Sequence, residues 1–161
     1  MFSEEEIRGF LQDVTDPEIP VLTILDMGVV RRIHWEGEAL HIDITPTYTG
    51  CPAMDVIAND IVKRLKAEGV DEVFVKEVLS PAWTTDWLSE DGRRKLEEYG
   101  IAPPVDESAD KRALFGAQPT VRCPQCKSEN TSRISQFGST ACKALYQCND
   151  CKEPFDYFKC L

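Results

Sequence analysis

The fold is decided by Val29-Val30-Arg31-Arg32-Ile33-His34-Trp35, then Glu36-Gly37-Glu38, then Leu40-His41-Ile42-Asp43-Ile44-Thr45. In the last run Leu40, Ile42 and Ile44 alternate with His41, Asp43 and Thr45, the two-residue period of a strand with one buried face. Residues 29–35 read as a second strand, and the glycine-containing turn joins the two into a hairpin.

Pro46 to Gly50 reads as a loop. Pro52 suits the first turn of the next helix, where an amide would be unpaired in any case. That helix is expected to run to about Glu68 and stop at Gly69, with Val56, Ile57, Ile61 and Leu65 on its inner face. Val73, Val75 and Val78 predict a third strand. Upstream, Ser3 and Glu6 form a capping box that opens a short helix to about Asp13. Asp16-Pro17-Glu18-Ile19-Pro20 ends it, because two prolines do not fit inside one helix. Downstream, Ser89 caps a last helix from Glu90 to Tyr99, closed by Gly100. The order αββαβα predicts an α+β sandwich, a small sheet with helices on one side. Residues 1–104 are expected to form this domain, 105–120 a linker after Pro103-Pro104, and 121–161 a second module.

The chain has 161 residues, of which 42% are apolar and 29% charged, an ordinary globular balance. No stretch reaches the roughly 18 apolar residues of a membrane span. The acidic start, Ser3-Glu4-Glu5-Glu6, does not read as a secretory or mitochondrial leader, and a cytoplasmic location is expected. Net charge is −10. Residues 1–105 carry 10 basic and 21 acidic side chains, and residues 106–161 carry 8 and 7. The first segment repels a phosphate backbone and the second has no basic patch, so nucleic acid is not an expected partner. The acidic charge suits either a basic partner surface or solubility alone.

Six of the seven cysteines lie between 123 and 160. In a reducing compartment such clustering means metal or reactivity rather than disulfides. Cys123-Pro124-Gln125-Cys126 and Cys148-Asn149-Asp150-Cys151 are two CxxC knuckles separated by 21 residues, and together they supply four sulfurs for one tetrahedral metal. Strands over Arg133 to Phe137 and Lys143 to Gln147, turning near Gly138-Ser139, would fill the gap as an all-β ribbon. A module of about 40 residues with few core aliphatics needs such a metal to fold. A structural Zn2+ is the expected occupant; an iron–sulfur cluster uses the same four thiolates. Cys142 and Cys160 are surplus to a tetrahedral site and read either as buried small apolar residues or as a second thiol site.

Cys51 stands alone in Thr49-Gly50-Cys51-Pro52, between a strand end and a helix start. The helix dipole and free amides there favour a thiolate, and Gly50 permits a close approach or an unusual backbone angle. By position alone a buried structural cysteine is the alternative. Asp16, Glu18, Asp26 and Asp55 are acidic residues that could surround it, as ligands or as solvated and capping groups. His34 and His41 lie on the hairpin, so a Cys/His hydrolase has little support. There is no glycine-rich phosphate loop and no nucleophile elbow. Trp83 and Trp87 are candidate core anchors or a docking patch.

Asp16-Pro17-Glu18-Ile19-Pro20, Asp26-Met27-Gly28-Val29-Val30 and Thr49-Gly50-Cys51-Pro52 resemble the metal–sulfur cluster biosynthesis domain family, associated with iron–sulfur cluster assembly. Ser80-Pro81-Ala82-Trp83-Thr84-Thr85-Asp86-Trp87, Tyr99-Gly100-Ile101-Ala102-Pro103-Pro104, Phe137-Gly138-Ser139-Thr140-Ala141-Cys142 and Glu153-Pro154-Phe155-Asp156-Tyr157-Phe158-Lys159-Cys160 extend the likeness over essentially the whole chain. In these the sequence is similar to the PaaD (PaaJ) family of phenylacetate-degradation proteins. The resemblance implies an accessory role in the phenylacetyl-CoA ring-1,2-epoxidase system of aerobic phenylacetate catabolism. It further implies help with iron–sulfur cluster assembly or insertion, with the flavin/[2Fe–2S] reductase of the oxygenase as client. Assembly scaffold or carrier proteins are the other implied partners. Carried over, Cys51 is the thiol that handles transient iron or cluster, with Asp16, Glu18, Asp26, Thr49, Gly50 and Asp55 in support. Cys123, Cys126, Cys148 and Cys151 hold zinc, and the motifs add weight to Cys142 and Cys160. The alternative is a structural or electron-transfer subunit of the oxygenase.

Overall fold

The computed structural model describes residues 1–105 and 120–158. Most of the expected linker and Cys160 therefore lie outside the described residues. The chain divides into two compact units, Met1–Trp83 and Thr84–Leu161.

The first unit opens with helix α1 (Glu4–Leu11), whose capping box forms as expected: Ser3 Oγ accepts from Glu6 N at 3.2 Å and Ser3 N donates to Glu6 Oε2 at 2.8 Å. Ile7 and Leu11, one turn apart, are its buried residues. Strands β1 (Val30–Glu36) and β2 (Ala39–Ile44) pair antiparallel, and Gly37, at φ 65°, takes the left-handed position that their turn requires. Helix α2 (Ala53–Ala67) then returns the chain so that β3 (Val73–Glu77) pairs parallel to β2, giving sheet order β1-β2-β3. Leu40, Ile42 and Ile44 of β2 are all buried, as are Met54, Ile57, Ile61 and Leu65 of α2. Val56 differs from expectation. It is 45% exposed, because its neighbour Ile57 takes the inward position and adjacent helical residues sit about 100° apart.

The proline-rich stretch between α1 and β1 is irregular but packed. Asp16 N donates to Leu22 O at 2.9 Å and Ile24 N to Val14 O at 3.0 Å, folding it back on itself. Ile19, Leu22, Ile24 and Met27 are buried. Trp83 is a core anchor: it is 5% exposed and its Nε1 donates to Met27 O at 2.6 Å. Trp87 is half-buried, in a single 3-10 turn (Thr85–Trp87).

The second unit holds helix α3 (Glu90–Tyr99) and a four-stranded sheet. The sheet contains β4 (Ile101–Ala102), β5 (Thr131–Ser135), β6 (Lys143–Cys148) and β7 (Pro154–Phe158), in the order β4-β7-β6-β5. Sequence reasoning puts α3 in the first domain and ends that domain at 104. The compact units divide earlier, at Trp83/Thr84. The reason is pairing: Ile101 and Ala102 lie parallel to Asp156 and Tyr157 of β7. Arg93 adds bonds to Pro104 O at 2.7 Å and Thr85 O at 2.9 Å, so α3 closes on its own flanks. The described residues of the ribbon itself, 121–158, hold only strands, as expected, and β4 adds a fourth to their sheet. Its core contains three aromatics, Tyr146, Phe155 and Tyr157, around Cys123 and Cys148. No helix among the described residues is long and apolar enough to cross a membrane.

Trp83→Phe removes a buried donor and leaves the Met27 carbonyl unpaired. It is expected to destabilise the first unit by about 2 kcal/mol, read from urea denaturation followed by far-ultraviolet circular dichroism.

Candidate functional site

Cys51 sits at the end of a turn that its neighbours build. Its amide donates to Tyr48 O at 3.3 Å, and Gly50 has a φ of 79° with nothing within 4 Å of where a Cβ would stand. Gly50 is therefore demanded by the backbone angle of the turn's third residue and not by crowding. Thr49 and Gly50 are exposed and Cys51 is half-buried. Cys51 O then accepts from Met54 N at 3.2 Å, leading into α2.

The expectation of a thiolate at this helix start is not met. Burial pushes the Cys51 thiol above its ordinary value of 9.0, and the negative charges of Glu18 and Asp16 push it the same way. The Ala53 amide and the Tyr48 side chain pull it down, but not far enough. The helix terminus therefore loses to desolvation and to two carboxylates. The same fact shows that Asp16 and Glu18 are electrostatic neighbours of the thiol, although 33 or more positions separate them in sequence.

Asp16 is 6% exposed, and its Oδ1 accepts from Glu18 N at 2.7 Å and Ile19 N at 3.0 Å. This turn explains why an aspartate precedes the proline: its side chain replaces the hydrogen bonds that a helix would have made. Asp26 has a similar local role, with its Oδ2 accepting from Thr23 N at 3.3 Å. Asp55 is exposed in the first turn of α2. Tyr48 is the residue that sequence reasoning missed; the only signal for it was its place three residues before Cys51, across the turn.

In the second unit the two CxxC knuckles converge. The Sγ atoms of Cys123, Cys126, Cys148 and Cys151 lie within 4.8 Å of one another, with Cys123–Cys151 at 3.7 Å and Cys126–Cys148 at 3.5 Å. A tetrahedral ion with metal–sulfur bonds of about 2.3 Å needs sulfur–sulfur edges of about 3.8 Å, so the donor set fits one zinc-sized ion. The knuckles repeat each other. Cys123 N donates to Ser128 O and Cys148 N to Glu153 O, both at 2.9 Å, and the lysine after each knuckle, Lys127 or Lys152, has a left-handed φ of 64° or 68°.

Amides of Cys151 and Asp150 lower the Cys148 thiol to about 7. At Cys151 the Glu153 amide pulls down, yet burial and the adjacent thiols push the group up to about 12. Four thiolates this close do not coexist without a cation, which supplies the charge that they lack. Cys142 is buried, with its sulfur 3.0 Å from Thr140 Oγ1, and is not among these four ligands.

Comparison with known proteins matches both parts of the chain, the one that carries Cys51 and the one that carries the four ribbon cysteines. Residues 4–79 match the model of an iron–sulfur cluster assembly protein domain, and residues 107–159 that of the PaaD zinc beta ribbon domain. The class is thus an assembly-type domain joined to a zinc ribbon. The chain is 51% identical over 156 residues to an Escherichia coli protein named as a subunit of 1,2-phenylacetyl-CoA epoxidase, covering 97% of this chain and 92% of the relative. It is 34% identical over 98 residues to an Fe-S protein maturation auxiliary factor of Porphyromonas gingivalis, covering 58% of this chain and 90% of the relative. A solved structure of a DUF59 domain from Bacillus anthracis shares 28% identity at a TM-score of 0.54, covering 58% of this chain and 90% of that one. The chain belongs to the PaaD family.

Cys51 should alkylate slowly at neutral pH, with a rate still rising as pH passes 9.0, the ordinary thiol value. Glu18→Gln removes a negative charge, so it should lower that midpoint and speed the reaction at any lower pH. Peptide mass spectrometry of the metal-loaded protein, resolved to the Cys51 peptide, reads both.

Proposed function

We propose that this protein is a maturation factor of the phenylacetyl-CoA epoxidase system, and that Cys51 is the thiol that takes up iron or an iron–sulfur cluster on its way to the client. The observation that carries the reading is the position of Cys51, accessible at a loop and flanked by the charges of Asp16 and Glu18, in a domain of the iron–sulfur assembly type. Full-length likeness to the epoxidase subunit and partial likeness to a maturation factor support the two halves of the proposal. The client we assign is the flavin/[2Fe–2S] reductase of the oxygenase, in the cytoplasm, with assembly scaffold or carrier proteins as the source.

The raised thiol fits such a role. A protonated sulfur is slow to oxidise or alkylate while the site waits. When iron arrives it displaces the proton: the thiol S–H bond breaks, an iron–sulfur bond forms, and the proton leaves to solvent. Two neighbouring carboxylates draw a cation toward the same place. Because burial, with these charges in support, holds the thiol protonated in the cation's absence, the bond is made reversible, which suits transfer.

In the ribbon, zinc held by Cys123, Cys126, Cys148 and Cys151 has a structural role, since four protein ligands leave no open position. Removing it with a chelator should collapse the Tyr146 and Tyr157 near-ultraviolet signal, and one equivalent of Zn2+ should restore it.

The name of the Escherichia coli relative favours a second reading, a structural subunit of the oxygenase. The deciding measurement is iron and acid-labile sulfide in the reductase, purified from cells that express the other pathway proteins with wild type, with Cys51→Ala, or with neither. The maturation reading expects cluster content to fall in both altered strains, with Cys51→Ala still folded. Full loading in all three strains removes the reductase as client. Fixed stoichiometry in the purified complex, with turnover lost on stripping, then assigns the subunit role.

A further inference from the structure

The first unit contains a second convergence of ligand-type side chains, and no cysteine belongs to it. The β1–β2 register sets His34 directly opposite His41, on the face away from buried Ile33, Leu40 and Ile42. Glu36, two residues after His34 on β1, lies on the same face. Its carboxylate bridges both rings: Oε1 is 3.2 Å from His34 Nε2 and Oε2 is 3.7 Å from His41 Nε2. The ligand atoms of all three residues lie within 4.8 Å of one another. A tetrahedral ion with bonds of about 2.1 Å to nitrogen and oxygen needs ligand edges of about 3.4 Å, close to the spacing found.

The rings are also held in place. His34 and His41 stack at 5.3 Å with 27° between planes, and His41 stacks on Phe74 of β3 at 5.1 Å and 21°. These contacts hold two imidazoles whose Nε2 atoms face one carboxylate, and the three side chains line a cavity of about 220 Å³.

We propose that His34, Glu36 and His41 form an exchangeable binding site for a divalent first-row transition metal. Two imidazoles and one carboxylate suit Zn2+, Fe2+, Co2+, Ni2+ or Cu2+ and discriminate against Mg2+ and Ca2+, which take oxygen ligands. Three protein ligands leave at least one coordination position for water. The site is built for exchange and not for permanent retention. The Nδ1 atom of His34 is buried without a hydrogen-bond partner, so the ring lacks the outer acceptor that tight histidine sites provide. Arg32 and Lys76 line the same cavity and weaken a cation's binding, while Asp43 partly offsets them.

The test uses the full chain with its ribbon loaded with zinc and then dialysed free of excess metal. Co2+ is the probe. One Co2+ per chain beyond the ribbon's zinc is expected at these rings, with ligand-field absorption; cobalt held at Cys51 is told apart by its sulfur-to-cobalt charge transfer, which Cys51→Ala removes. Nitrogen NMR should show the His34 and His41 rings shifting together as the ion is added, and Mg2+ should shift neither. His34→Ala, His41→Ala and Glu36→Gln should each weaken binding by at least about tenfold. The proposal is overturned if wild type takes up no ion beyond the ribbon's, if all of the further cobalt is lost in Cys51→Ala, or if the two rings do not respond. Because ring shifts are read on wild type, a variant that fails to fold leaves the test intact.

Discussion

The first unit rests on the burial of one strand. Leu40, Ile42 and Ile44 of β2 are almost wholly removed from water, each contributing roughly 1.5–3 kcal/mol. Strand geometry then leaves no freedom about the residues between them: His41 and Asp43 must face outward. β1 can join only in the register that places Ile33 opposite Ile42, and this brings His34 to His41. At its far end β2 leads into the turn that carries Cys51. The thiol and the paired imidazoles are thus two consequences of the same buried triplet, one at the strand's end and one on its outer face.

The second unit is organised by electrostatics as much as by burial. Its small core is aromatic, and two of the four cysteine sulfurs are part of it. Packing brings the sulfurs together, but their charge in the thiolate form opposes the packing until a cation arrives. The parallel addition of Ile101 and Ala102 to β7 widens the sheet from three strands to four. Lys127 binds Glu97 at 2.6 Å, fastening α3 to the first knuckle. A ribbon that would be marginal at its own size gains area and contacts from the segment before it.

The two thiol sites contrast in how their sulfurs are tuned. In the ribbon, knuckle amides stabilise at least one thiolate, Cys148, before any metal is present. At Cys51 burial and two carboxylates resist ionisation. Four converging thiols with one preset thiolate suit retention, whereas a lone reluctant thiol beside acidic groups suits a cation that must leave again. The physical difference lies in what surrounds the sulfur, amide donors at Cys148 or burial with nearby carboxylates at Cys51, and not in the sulfur itself.

Much of the fold was legible because its signals are local. The capping box at Ser3, the alternation of Leu40, Ile42 and Ile44, the helix after Pro52 and the two CxxC knuckles are all set by neighbours within a few residues. By itself, the sequence determined these elements and the donor set of the ribbon. Tertiary structure alone decided four things. It gave α3 and β4 to the second unit, because strand pairing with β7 is a contact between residues 55 apart. It turned Val56 outward, because Val56 falls outside the helical arc that Ala53, Met54, Ile57, Ile61 and Leu65 bury. It raised the Cys51 thiol, because burial comes only with folding and Glu18 and Asp16 reach the sulfur only through the folded loop. It joined His34 and Glu36 to His41, because register across a hairpin fixes which outward side chains meet. In each case the deciding energy is a distance between residues that sequence spacing does not give.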